Sequence, residues 1–142
     1  PYLAVEIVLR DGIGIGGAYR KAATFKPDAC LELHFNAFNK TAQGSETLCS
    51  VDYEDRKLAG IIQTKICAVF ERGGQSRGVK VLARNDRGGQ SVYSLPGSAN
   101  CLPEAFFGDN PSEAKMANEK RVAYAAALLD GVVEWLKQNG VV

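Results

Sequence analysis

The sequence predicts an α/β fold: a three-layer sandwich with a mostly parallel sheet and helices on both faces. Three observations lead there. Aliphatic, β-branched runs alternate along the chain with stretches of helical period, in the order β-α-β-β-α-loop-β-α, and such alternation builds a parallel sheet. The chain has 142 residues, 46% hydrophobic and 23% charged, ordinary values for one globular domain and wrong for a disordered segment. No linker and no internal repeat divides it, so residues 1–142 read as a single domain.

Tyr2 to Leu9 is rich in β-branched and aliphatic residues and stops at Arg10-Asp11-Gly12, as a strand entering a turn does. Gly16 to Lys26 reads as a short helix closed by Pro27 and Asp28. Ala29 to Asn36 reads as a strand, with Cys30, Glu32, His34 and Asn36 on one side and Leu31, Leu33 and Phe35 on the other. Gly44 to Val51 is the next strand. From Tyr53 to Arg72, Leu58, Ile61, Ile62, Ile66, Val69 and Phe70 recur at helical spacing and stop at Gly73-Gly74. Gln75 to Ser98 reads as a long irregular segment, broken by a short helix over Gly89 to Tyr93. Ala99 to Phe106 is the last strand. Asn110, Pro111 and Glu113 then read as helix cap, first-turn proline and third-position glutamate. One long helix is expected from there to Gln138, with an apolar stripe of Val122, Ala125, Leu129, Val132, Val133 and Leu136 and with Gly140 just past its end.

Composition excludes several function classes. The formal net charge is +1, without the basic stripe of a nucleic-acid binder. No apolar run approaches the roughly 18 residues of a membrane span, and no stretch of these residues reads as a signal peptide. Cys30, Cys49, Cys67 and Cys101 form no CxxC pair and match no zinc-ribbon spacing. They read as free thiols serving as small hydrophobes, which suits synthesis in a reducing compartment.

Three signals compete for the chemistry. Gly12, Gly14 and Gly17 make a G-x-G-x-x-G run between a strand and a helix, the placement of a nucleotide phosphate loop, with Glu32 twenty residues on. Gly12–Gly17 therefore supports the alternative of a nucleotide-binding α/β module. His34 is the only histidine and ends a strand, on the same face as Glu32. Glu104 ends the last strand just before a helix cap, and Glu46 stands early in the third. Ligands of open α/β sheets bind beyond strand ends, which favours the second and third signals.

Four segments in order then resemble the zinc-dependent N-acetylmuramoyl-L-alanine amidases of the amidase-3 type. They are Val8 to Asp11 followed by Tyr19 to Ala23; Pro27 to Ala37, with its histidine-bearing strand end; Gly44-Ser45-Glu46; and Leu102 to Asn110, the closing glutamate motif. The resemblance implies a peptidoglycan hydrolase that cuts the amide between N-acetylmuramic acid and the L-alanine of the stem peptide. It implies one zinc ion with His34 as a ligand, Glu104 as general base, and Glu32 steering His34 from behind. Glu46 and Arg84 are expected to hold or orient the polymer. The family's other two zinc ligands belong to an earlier strand and helix and are not in this chain, which opens on Pro1. The domain is therefore read as truncated at its N-terminus, and a metal-free relic that only binds cell wall is the alternative. Little room follows Glu46 for an inserted regulatory helix, so the resemblance is to compact endolysins, made in the cytoplasm, released in the manner of phage enzymes and acting on the wall. Pro103 replaces an aliphatic residue of the family, so the strand should end there or pair on one side only.

Overall fold

The computed structural model describes residues 3–142. Of the strand expected over Tyr2–Leu9, Tyr2 lies outside the described residues. Residues 3–9 form no strand, because no described strand lies beside them to complete a ladder; Ile7 is 81% exposed. The first element is helix α1 (Gly14–Thr24), entered through Gly12 and Gly14 at positive φ. It buries no residue.

Strands β1 (Ala29–Leu31) and β2 (His34–Asn36) divide the single strand expected there. Both pair in parallel with β5 (Ala99–Phe107), so they are two halves of one sheet position. The break has a cause in β5. Ala99 takes its amide hydrogen bond to Asp28, and Cys101 accepts one from the Glu32 amide, so alternate β5 residues face β1. Pro103 is next in that period and has no N–H to give. It pairs with Thr47 on its other side, and β5 runs on to Phe107. The one-sided pairing expected at Pro103 is what the structure shows.

Beyond β5 lies β3 (Ser45–Cys49), antiparallel to it, and then β4 (Ser76–Val81), parallel to β3. The result is a mixed, mostly parallel sheet in the order β1-β5-β3-β4, as the α/β reading requires. Strand β4 corrects the expectation of an irregular segment from Gln75 to Ser98. It is an edge strand of sequence Ser-Arg-Gly-Val-Lys-Val, largely exposed and bent at Gly78 (φ +77°), so it lacks the apolar alternation that marks a strand. A short 3₁₀ turn, Gly73–Gln75, precedes it, and helix α3 (Gly89–Val92) follows where a short helix was expected.

Helix α2 (Tyr53–Val69) starts on Asp52, whose side chain accepts the Glu54 amide. Its buried Leu58, Ala59, Ile62 and Ile66 pack with Cys49, Ala99, Cys101 and Ala105 of the sheet. The opposite face, at Leu48, is met by the Gly88 turn that leads into α3. All four cysteines are free, with Cys49 and Cys101 buried. Burial pushes the thiols of Cys30 and Cys49 up to about 11.

The expected C-terminal helix is two: α4 (Pro111–Glu119) and α5 (Arg121–Gln138). The chain bends at Lys120, whose ammonium donates to the Val69 carbonyl at 2.9 Å and pairs with Glu71 at 2.9 Å. No glycine or proline marks that bend. The turn also rotates the buried face of α5 to Ala127, Leu128, Gly131, Trp135 and Leu136, while Val122 is 75% exposed and Leu129 is exposed as well. A Cβ on Gly131 would stand 2.7 Å from Ile62 Cδ1, so glycine is what lets α5 lie close on α2. Ile62→Ala should therefore destabilise the fold by about 2–5 kcal/mol, seen as a lower urea midpoint at unchanged slope.

Candidate active site

Strand pairing brings three of the expected residues into one row. His34 of β2 is the register partner of Glu104 of β5, and Glu104 is the partner of Glu46 of β3. Side chains opposite each other on neighbouring strands share a face, so an imidazole and two carboxylates line up across the sheet. Glu46 is nearly buried and Glu104 half-buried. The β3–β4 register shifts between Ser45 and Glu46, immediately before the residue that joins the row.

Glu46 is held from two sides. Asn36 Nδ2 donates to its Oε1 at 2.5 Å, and Arg77 Nε lies 3.1 Å from its Oε2. Neither Asn36 nor Arg77 was singled out by the sequence. Asn36 falls two residues after His34 on the same face and could have been found by that period. Arg77 sits on the unrecognised β4, and its guanidinium also lies 5.3 Å from the centre of the Phe107 ring.

Burial raises the Glu104 carboxyl above the ordinary glutamate range. The facing Glu46 adds to the rise through its charge and a hydrogen bond, while His34 and Arg77 pull against it. A carboxyl so placed holds its proton more readily, the property of a group that must both take and give one.

Glu32 touches His34 directly: its Oε1 lies 3.0 Å from His34 Nε2. Tyr19 of α1 donates its hydroxyl to Glu32 Oε2 at 2.7 Å, so the carboxylate is fixed at both ends. This arrangement orients an imidazole and leaves Nδ1 as its second nitrogen, which has no partner among the described residues. His34 so held fits one ligand of a zinc ion. Among the described residues, no group of three His, Cys, Asp or Glu side chains is placed to hold a metal.

Arg84 is not brought to the row. It follows the far end of β4, with its guanidinium 4.6 Å from the centre of the Tyr93 ring. Of the Gly12–Gly17 run, Gly12 lies in the turn before α1 and Gly14 to Gly17 form the first turn of that exposed helix. A Cβ at Gly12 or Gly14 would meet nothing within 4 Å, so no close backbone approach accounts for these glycines.

The family model described as N-acetylmuramoyl-L-alanine amidase matches residues 17–134. An N-acetylmuramoyl-L-alanine amidase from Clostridium difficile 630 superposes with a TM-score of 0.67 at 23% identity, over 84% of this chain and 65% of its own. The catalytic domain of the CD27L endolysin, which targets Clostridia difficile, gives 0.64 at 26% identity, over 82% of this chain and 62% of its own. The catalytic domain of the amidase CwlV from Paenibacillus polymyxa gives 0.69 at 18% identity, over 85% and 64%. This chain spans slightly under two thirds of the length of each. No curated protein sequence matches it.

The raised Glu104 carboxyl has a consequence for stability. Below the ordinary glutamate range both folded and unfolded chains are protonated, and burial costs nothing. As pH rises through the raised folded value, the folded state must carry the buried charge and loses stability. Glu104→Gln removes that cost. Its melting temperature should exceed the parent's near pH 7, and the gap should close as the pH falls to about 4.

Proposed function

Since the chain belongs to the N-acetylmuramoyl-L-alanine amidase family, we propose that it hydrolyses the amide bond between N-acetylmuramic acid and the L-alanine of the peptidoglycan stem peptide. The family match supplies the reaction class, and the row His34–Glu104–Glu46 is the observation that carries it to particular side chains. Glu104 acts as the base. It takes a proton from the attacking water and returns it to the leaving nitrogen of L-alanine. Glu46, anchored by Asn36 and Arg77, keeps the Glu104 carboxyl facing the scissile amide. His34, held by Glu32, would supply one zinc ligand. A zinc ion there would lower the pKa of a water to about 7 and polarise the amide carbonyl. Arg84, at the other end of β4, would contact the polymer away from the bond that breaks. The substrate places the site of action at the cell wall.

Glu104→Gln should lower the rate of cell-wall hydrolysis by about 10² or more, with the fold and the zinc content unchanged. Turbidity loss on purified walls, beside metal analysis of the same preparation, measures both. Near-parental hydrolysis would remove Glu104 from the mechanism. Wall binding without hydrolysis in the parent would instead favour a wall-binding relic.

A further inference from the structure

Behind the row, on the α2 face of the sheet, lies a buried ion pair that the hydrolytic reading leaves without a role. Arg72 follows the end of α2, and Glu113 is in the first turn of α4. Their side chains are 2% and 5% exposed and meet in a two-pronged bond: Nη1 lies 2.6 Å from Oε1 and Nη2 2.8 Å from Oε2. Arg72 Nε also donates to Ser45 Oγ at 2.9 Å, and Nη2 to the Ala105 carbonyl at 3.1 Å. Glu113 Oε2 accepts from the amides of Phe107 at 3.3 Å and Gly44 at 3.4 Å. Although Glu113 stands at the third position of α4, where a capping box would turn it back to its own helix, its bonds go to the sheet.

The partners of the pair stand beside the row. Ser45 precedes Glu46, and Ala105 follows Glu104. The antiparallel ladder of β3 and β5 ends at Glu46–Glu104, so these two carboxylates occupy its terminal rung. Beyond that rung no ladder pairing joins the strands. Ser45 Oγ bonds the Ala105 carbonyl there instead, and Arg72 and Glu113 bind the backbone on both sides. A buried ion pair is poor evidence for stability, since apolar groups of similar volume commonly serve as well. Directed bonds to two strand ends do what apolar packing does not: they fix a separation.

We propose that Arg72 and Glu113 are positioning residues for hydrolysis, clamping the strand ends so that Glu104 and Glu46 keep their spacing on the opposite face. The inference rests on the hydrolytic reading above. It acts only through geometry: neither side chain reaches the face on which the reaction runs.

The test is made in the full-length enzyme on purified cell walls, with R72K and E113Q. R72K keeps the charge and loses the planar fork. E113Q keeps an oxygen for the Gly44 and Phe107 amides and loses the charge. Rates are measured at temperatures where circular dichroism shows each variant fully folded. For either variant, kcat should fall about 10-fold or more while KM stays within about twofold, because the displaced group is a reacting one and not a binding one. R72M should fall further than R72K. A folded variant with kcat within twofold of the parent overturns the inference, as does a rise in KM at unchanged kcat. Failure of both R72K and E113Q to fold assigns the pair to stability and also overturns it. A parent enzyme inactive on walls overturns the hydrolytic reading itself, an outcome separate from an active parent whose variants are unchanged.

Discussion

The antiparallel pairing of β3 with β5 is the constraint on which the rest of the structure depends. Every other pairing in the sheet is parallel, and β5 is the strand that joins β1 and β2 on one side to β3 and β4 on the other. Were β5 displaced by one residue, Glu104 would turn to the α2 face and Ala105 to the open one. The core forbids that slip. Cys101 and Ala105 are fully buried against α2 with Leu58, Ile62 and Ile66, and a charged side chain there would be stranded. The apolar side of β5 thus decides which face its carboxylate occupies.

Helix α2 is joined to the sheet by polar groups along its whole length as well as by apolar contact. Near its start Asp55 accepts from the Ser50 hydroxyl and from the backbone amide of Asn100. Midway, Gln63 accepts from the Thr47 hydroxyl and donates to the Ser45 carbonyl. Past its end Arg72 reaches Ser45 and Ala105. Apolar packing tolerates sliding between a helix and a sheet, whereas these bonds each select one position. A net hydrogen bond contributes only about 1 kcal/mol, but losing one partner leaves a buried polar group unsatisfied. Register along the helix axis follows from that asymmetry.

Much of this was legible in the sequence, for physical reasons. The run from Leu58 to Phe70 and the cap at Asn110 carry strong local signals: the first helix forms where expected, and the second begins where expected. His34, Glu104 and Glu46 were each expected as site residues from motifs that resemble a family, and the sheet brings them into one row. What escaped depends on distant partners. Strand β4 is an edge strand whose side chains look like a loop's. The bend at Lys120 comes from a carbonyl and a carboxylate near the end of α2, about which the residues around Lys120 say nothing. Residues 3–9 have the composition of a strand, yet a strand exists only as one member of a pair. Arg72 and Glu113 are 41 positions apart, and a buried ion pair at that separation leaves no local trace.

Pro103 makes two distant stretches of the chain answer to each other. Because it withholds one backbone donor, the neighbouring strand must break at Glu32–Leu33, and the break lies beside the carboxylate that holds His34. Position 103 therefore acts on residues some seventy places away in the sequence. A residue with an N–H there would seek an acceptor across the gap and draw Glu32 back into a regular ladder, altering the setting of the imidazole without touching it. A change at position 103 would thus be felt first at 32 and 33, and would reach His34 only through them.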